Sequence, residues 1–236
     1  MMPKGLASHF LNYLVETYHM DIDCERLPSL QVLSKELGVS VSTLREQMEV
    51  ARALGLVEAR PRTGLRRLPY TFSPAVNQSL AYAIAIDQEN FLKFADLRRN
   101  LESAYWYQAV ALLTEEDKSN LVNLIEKAWD KLRGTPIQIP QWEHRQLHLT
   151  IYKRLDNQFV SGILEAYWDA YETVGLNLYA GYQYLEEVWT YHQKMVDGIC
   201  QGDLEGGYQA LLEHTDLIRH RVIEREDGNV FVTQSE

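Results

Sequence analysis

Two glycines, Gly38 and Gly55, do most to limit what the first part of this chain can become. Glycine enters left-handed backbone that other residues avoid, so it ends helices and allows tight turns. Upstream of Gly38, Leu30, Leu33 and Leu37 recur at helical spacing from about Ser29, with Pro28 suited to a helix start. Between the glycines, Ser40 or Ser42 can cap a second helix that runs to about Leu54. Its inner stripe is Leu44, Met48 and Ala51. An earlier helix reads from about Gly5 to His19, on Leu6, Phe10, Leu14 and Tyr18. After Gly55, "LVEARPRTGLRRLPY" reads as strand, Pro/Gly turn and strand, a short hairpin.

Helix, helix, tight turn, helix and hairpin is the order of a winged helix-turn-helix, whose helix after the turn enters the major groove. Ser42, Thr43, Arg45 and Gln47 are expected to be exposed there as base-reading candidates. Arg60, Arg62, Arg66 and Arg67 crowd into eight positions of the hairpin and are expected to meet phosphates or the minor groove. The whole chain of 236 residues carries a net charge of -10. Residues 1–70 hold nine Lys+Arg against eight Asp+Glu, a net of +1, so residues 71–236 hold the remaining -11. That asymmetry permits a local nucleic-acid surface on an acidic molecule.

The stretch "LPSLQVLSKELGVSVSTLREQMEVARALGLVEARPRTG" resembles the DNA-binding domain of the GntR family of bacterial transcription regulators. Leu27-Pro28-Ser29, Leu37-Gly38-Val39-Ser40, Leu44-Arg45-Glu46, Gly55-Leu56-Val57 and Arg60 through Gly64 carry the likeness. The family usually has Arg where this chain has Val41, and often Glu-Arg where it has Leu30-Gln31. The resemblance therefore implies operator DNA as partner, with a sequence preference shifted from the common one and more weight on the wing.

"PYTFSPAVNQS", Pro69 to Ser79, holds two prolines and few charges and reads as a boundary. The expected division is 1–70, a linker over 71–79, a helical domain over 80–226 and a flexible tail over 227–236. Helices are expected near 79–89, 91–113, 115–133, 140–156, 159–179, 184–200 and 203–224. "TEED" at Thr114 to Asp117 forms a capping box. The fold class is mainly α: a winged helix-turn-helix followed by an all-helical antiparallel bundle. Cys24 and Cys200 make no disulfide framework and are expected as buried thiols. No run approaches a membrane span and no signal peptide is seen, so a cytoplasmic protein is expected.

His144 and His148 stand four apart and so share one helix face. His192 lies ten residues before Gly202 and His214 twelve after it. A hairpin turning at Gly202-Asp203 brings the last two to one level, roughly 15–18 Å from the turn. Three or four imidazoles converging in a bundle suit zinc, with nickel and copper as alternatives of the same ligand chemistry. Histidines four apart also occur in metal-dependent hydrolases, but there the general base directly follows the first histidine; here that position is Arg145.

The second part is similar to the FCD ligand-binding domain of the FadR-like subfamily. "DLRRNLES", "HRQLHLTIYKRLDN" and "YHQKMVDGICQGDLEGGYQALLEH" carry that resemblance. It implies an ion held by one Asp and three His. His148, His192 and His214 match the histidines, and His144 stands at the Asp position. It also implies a small organic acid effector, with Arg98 at the effector-binding arginine; Tyr105, Tyr107, Tyr152 and Tyr191 are candidates to line such a cavity. The implied function is a ligand-responsive, homodimeric DNA-binding regulator; the alternative from spacing alone is a metal-dependent hydrolase.

Overall fold

The structure, a computed structural model, describes residues 6, 8–18, 26–60, 64–174 and 181–223, with side chains to residue 217 in the last helix. It divides into two compact units, Met1–Ser79 and Leu80–Glu236.

In the first unit, α1 (His9–Glu16), α2 (Leu30–Leu37) and α3 (Val41–Ala53) precede β1 (Val57–Arg60) and β2 (Gly64–Arg67). Three serines set the helix starts. Ser8, Ser29 and Ser40 accept from the backbone N–H groups of Leu11, Val32 and Thr43, satisfying donors that the first turn leaves open. Ser40, not Ser42, caps the helix after the turn. Gly38 closes α2 in left-handed backbone at φ +66°. Phe10, Leu33, Leu44 and Ala51 are fully buried and tie the three helices into one core. The strands pair antiparallel, Val57 opposite Arg67 and Arg60 opposite Gly64. Leu27 N–H donates to Leu65 O at 2.8 Å, and Arg26 bridges Arg66, so the segment before α2 lines up beside the hairpin.

Residues 73–79 of the expected linker are helical. They begin α4 (Ser73–Ile86), because Pro74 occupies the first turn, where its missing N–H costs nothing. The tail from 227 and the start of the expected first helix lie outside the described residues.

The second unit continues with α5 (Glu89–Ala111), α6 (Glu115–Arg133), α7 (Gln141–Tyr152), α8 (Gln158–Val174), α9 (Tyr182–Gln201) and α10 (Leu204–Ile223). The molecule is mainly α, with a small wing. α9 and α10 form the closest helix pair; α6 packs on α7 and α9, and α5 on α7, α8 and α10. Trp106, Leu121, Leu147, Ile151, Met195, Val196 and Leu211 fill the main core. Phe91, Tyr167, Trp168 and Tyr171 form a second, aromatic cluster between α5 and α8. Cys200 is exposed, contrary to the expected buried thiol, because it follows Ile199 onto the outer face of α9; Cys24 lies outside the described residues. No described helix is long and apolar enough to cross a membrane.

Candidate metal and effector site

α9 and α10 turn at Gly202, which takes φ +82°, a left-handed helix end. Their approach depends on Gly198. A Cβ there would lie 2.7 Å from Asp203 O and 2.8 Å from Gly207 N, so any side chain would push the helices apart. With backbone against backbone, His192 and His214 meet at ring centroids 4.2 Å apart. α7 supplies His144 and His148 one turn apart on its inner face. One nitrogen from each of the four rings lies within 4.8 Å of the others.

All four are buried: His144 is 7% exposed and the other three 0%. Burial, more than any neighbour, pushes each below the ordinary imidazole range, and the other histidines and Arg98 add to this for His144 and His214. The rings are therefore neutral at pH 7, the form with a free lone pair. His144 Nε2, His192 Nδ1 and both nitrogens of His214 have no hydrogen-bond partner. An unsatisfied buried polar atom costs about 1–3 kcal/mol. These four atoms lie on three neutral rings and offer three lone pairs in one place, which fits a ligand for nitrogen lone pairs. A tetrahedral zinc ion, with Zn–N near 2.0–2.1 Å, sets its ligand nitrogens about 3.4 Å apart. The spread found here exceeds that by at most about 1.4 Å, a contraction that turning the rings about their side-chain bonds can supply, so the four residues fit such an ion.

Arg98 reaches the cluster from α5 and is only 1% exposed. Its Nη2 lies 2.8 Å from His148 Nδ1 and 3.1 Å from His148 Nε2. Its Nε sits 2.8 Å from Glu102 Oε2, an ion pair without the alignment of a hydrogen bond. The guanidinium also faces the rings of Tyr167 (4.6 Å) and Trp168 (5.2 Å). Burial opposes charge on both partners. For Glu102, Arg98 and then His148 outweigh it and hold the carboxyl below its usual range. For Arg98, Glu102 and then Tyr167 outweigh it and hold the guanidinium above its usual range. The pair stays ionised.

The expected tyrosines do not gather at this cluster. Tyr152 comes nearest, its hydroxyl donating to Glu102 O at 2.9 Å. Tyr105 accepts from Asn157, and Tyr191 carries Lys194 over its ring. Tyr107 is 44% exposed and donates to Glu205. The α5 helix turns Tyr107 to the side opposite Arg98, while Tyr105, on the Arg98 side, lies two turns further along and packs on the main core. The aromatic wall is instead Trp168, Tyr171 and Trp189, each edge-on to His144. Sequence reasoning missed these and Glu102. The available signal for Glu102 was an Arg/Glu pair four apart on the face of α5 that also carries Phe91 and Trp106.

The hairpin unit holds its candidate residues unequally. Ser42 and Arg45 are exposed on α3. Thr43 is half-buried, its hydroxyl 2.9 Å from that of the capping Ser40. Gln47, expected to be exposed, instead accepts from Phe10 N–H at 3.0 Å and so joins α3 to the start of α1. Arg60 is exposed beside Glu58, and Arg66 is half-buried. Arg67, expected at phosphate, turns inward: it donates to Thr17 O at 3.1 Å and to the Thr17 hydroxyl, and lies over Tyr18. Arg62 lies outside the described residues. Arg26, which sequence reasoning passed over, is exposed beside the hairpin. In the helical unit Arg145, next to His144, pairs with Asp169 at 2.7 Å.

The profile of the FCD domain matches residues 93–217. The chain is 26% identical over 203 residues to the uncharacterized HTH-type transcriptional regulator YieP of Escherichia coli K12, covering 80% of this chain and 84% of that one. It is 22% identical over 209 residues to the putative L-lactate dehydrogenase operon regulatory protein of the same organism, covering 86% and 79%. Among solved structures, Streptococcus agalactiae GntR superposes with a TM-score of 0.65 at 16% identity, over 90% of this chain and 96% of that one, a likeness of fold.

Proposed function

This chain belongs to the FCD-domain branch of the GntR transcription regulators, and from that premise we propose that its helical unit senses a small organic acid through a bound divalent metal. One observation carries the reading: four buried, neutral imidazoles, three of them with unpartnered nitrogens, converge beside a buried guanidinium. His144, His148, His192 and His214 hold the ion, zinc first, with nickel or copper served by the same ligands. When bound, the ion supplies a Lewis-acidic position for a carboxylate oxygen. Arg98 supplies a guanidinium edge for the same ligand, shaped for a carboxylate. Trp168, Tyr171 and Trp189 close the site on the His144 side and keep it dry, which strengthens both attractions.

The first unit binds operator DNA. Arg45 and Ser42 face base edges from α3, and Arg60, Arg66 and Arg26 face phosphate. Two copies act together, since one helix-turn-helix reads too few base pairs for specificity. The chain works in the cytoplasm, where its DNA is.

The test is elemental analysis of protein prepared without chelator or histidine tag, beside a His148→Ala/His192→Ala variant. One metal per chain in the wild type, lost in the double variant, is the expected result. Sub-stoichiometric metal after reconstitution with zinc and with nickel removes the metal from the reading. Equal metal in both proteins removes these ligands from it.

A further inference from the structure

His148 is a crowded ring. Its Nδ1 lies 3.1 Å from Glu102 Oε1 and 2.8 Å from Arg98 Nη2; its Nε2 lies 3.1 Å from the same Arg98 nitrogen and 3.0 Å from His192 Nε2. A neutral imidazole carries one N–H and one lone pair, so these neighbours force a choice. If Nδ1 held the lone pair, it would face the acceptor-only carboxylate of Glu102 at hydrogen-bond distance, a repulsive pair in a dry site. If Nδ1 holds the proton, it donates to Glu102, and Nε2 accepts from Arg98 or His192. The first arrangement sets a lone pair against a buried carboxylate; the second matches Glu102, and the Arg98 nitrogen, 2.8 Å from Nδ1, gives its N–H to Nε2 at 3.1 Å instead.

We propose that Glu102 is a positioning residue that selects the nitrogen His148 presents, by taking the Nδ1 proton and leaving Nε2 as the lone pair turned toward His192 and the other histidines. The same carboxylate engages Nε of Arg98, which leaves Nη1 and the second N–H of Nη2 for a ligand. Glu102 is thus a hinge between the two halves of the site: one oxygen orients a metal-side ring, the other orients the anion-side guanidinium. Its backbone is held in turn by the hydroxyl of Tyr152. Carboxylates behind ligating histidines act this way in general, fixing ring orientation and raising ligand basicity. A buried ion pair of this kind adds little stability by itself, so its presence at the histidine cluster points to function. The part concerning metal rests on the reading given above; the part concerning the proton does not.

Glu102→Gln separates the two. Arg98 Nε is a donor, so the amide oxygen of Gln turns toward it and the amide N–H turns toward His148. Nδ1 must then accept, and the proton moves to Nε2. Nitrogen NMR of histidine-labelled, metal-free protein reads this directly, with His148→Gln for assignment. The wild type is expected to show the proton on Nδ1, and Glu102→Gln on Nε2, with folding followed by circular dichroism. Chelator competition with zinc is expected to show 10–100-fold weaker binding in Glu102→Gln. The same tautomer in both proteins overturns the proposal, and so does a swapped tautomer with unchanged zinc affinity. A tautomer that swaps between wild type and Glu102→Gln, when the wild type takes no zinc, upholds the positioning role and sinks the metal reading instead.

Discussion

Arg98 is buried only because Glu102 is buried with it, and each is the other's compensation for lost water. Removing one partner strands a charge, a cost of about 3–5 kcal/mol. Arg98→Met is therefore expected to lower unfolding free energy by about that much in urea titration, and Arg98→Met/Glu102→Leu to recover most of it. Near-additive losses would show that the pair is not coupled. Among the DNA-facing residues, the arginines should split by what they touch. Arg45→Ala should lose roughly 1–3 kcal/mol on a selected operator if it reads a base. Arg67→Ala should instead cost about 1 kcal/mol of folding stability, since its donors serve Thr17, and leave the salt slope of DNA binding unchanged. A shallower slope for Arg67→Ala, measured by titration at several salt concentrations, would place that residue at phosphate after all.

At the scale of elements, the α9–α10 hairpin is built on one residue. Gly198→Ala puts a methyl group into the backbone of Asp203 and Gly207, where nothing flexible can yield. Overpacking of this kind costs about 1–3 kcal/mol. It should also separate His192 from His214 and weaken zinc binding, while Gly206→Ala, facing only the Asp203 side chain, should do far less. The start of α6 is a second such joint. Asp117 closes the capping box with Thr114 and receives Lys153 and Arg154 from the end of α7. Hydrogen bonding from Arg154 foremost, then Lys153 and Thr114, holds its carboxyl well below the ordinary range. A depressed carboxyl contributes stability above its unfolded pKa of about 3.9 and loses it as pH falls from there toward the folded value. The melting temperatures of wild type and Asp117→Asn should therefore differ most above about pH 5 and converge on acidification. A gap that stays constant down to pH 3 would contradict this.

For the molecule as a whole, the metal is expected to act as a cross-brace that ties α7 to the α9–α10 hairpin. An ion that binds only the folded state adds about 2.7 kcal/mol at a hundredfold excess over Kd. Chelation should therefore lower the melting temperature by roughly 5–10 °C, and a melting curve indifferent to chelator and to added zinc would rule the brace out. Effector binding shifts the regulator only if the ligand prefers one arrangement of the molecule, and its affinity should then change with operator DNA by the same factor that DNA affinity changes with effector.

Much of this was legible in sequence because it is local. Gly38 and Gly55 mark helix ends by backbone conformation, Thr114 and Asp117 mark a start by capping, and His144 and His148 share a face by spacing alone. The level of His192 with His214 followed from counting residues around Gly202. What the sequence could not settle is which side chains the fold claims for itself. Gln47 and Arg67 stand where DNA-reading residues are expected, yet each meets a backbone group some 40 or 50 positions away that needs a partner. The lining residues depended on the rotation of α5 and α8 about their own axes, which turns Tyr107 to solvent and Trp168 to the histidines. Glu102 was hidden for the same reason. A glutamate four residues from an arginine on a helix is ordinarily a solvated pair, and only the packing of α7, α8 and α10 around it removes the water and turns it toward His148.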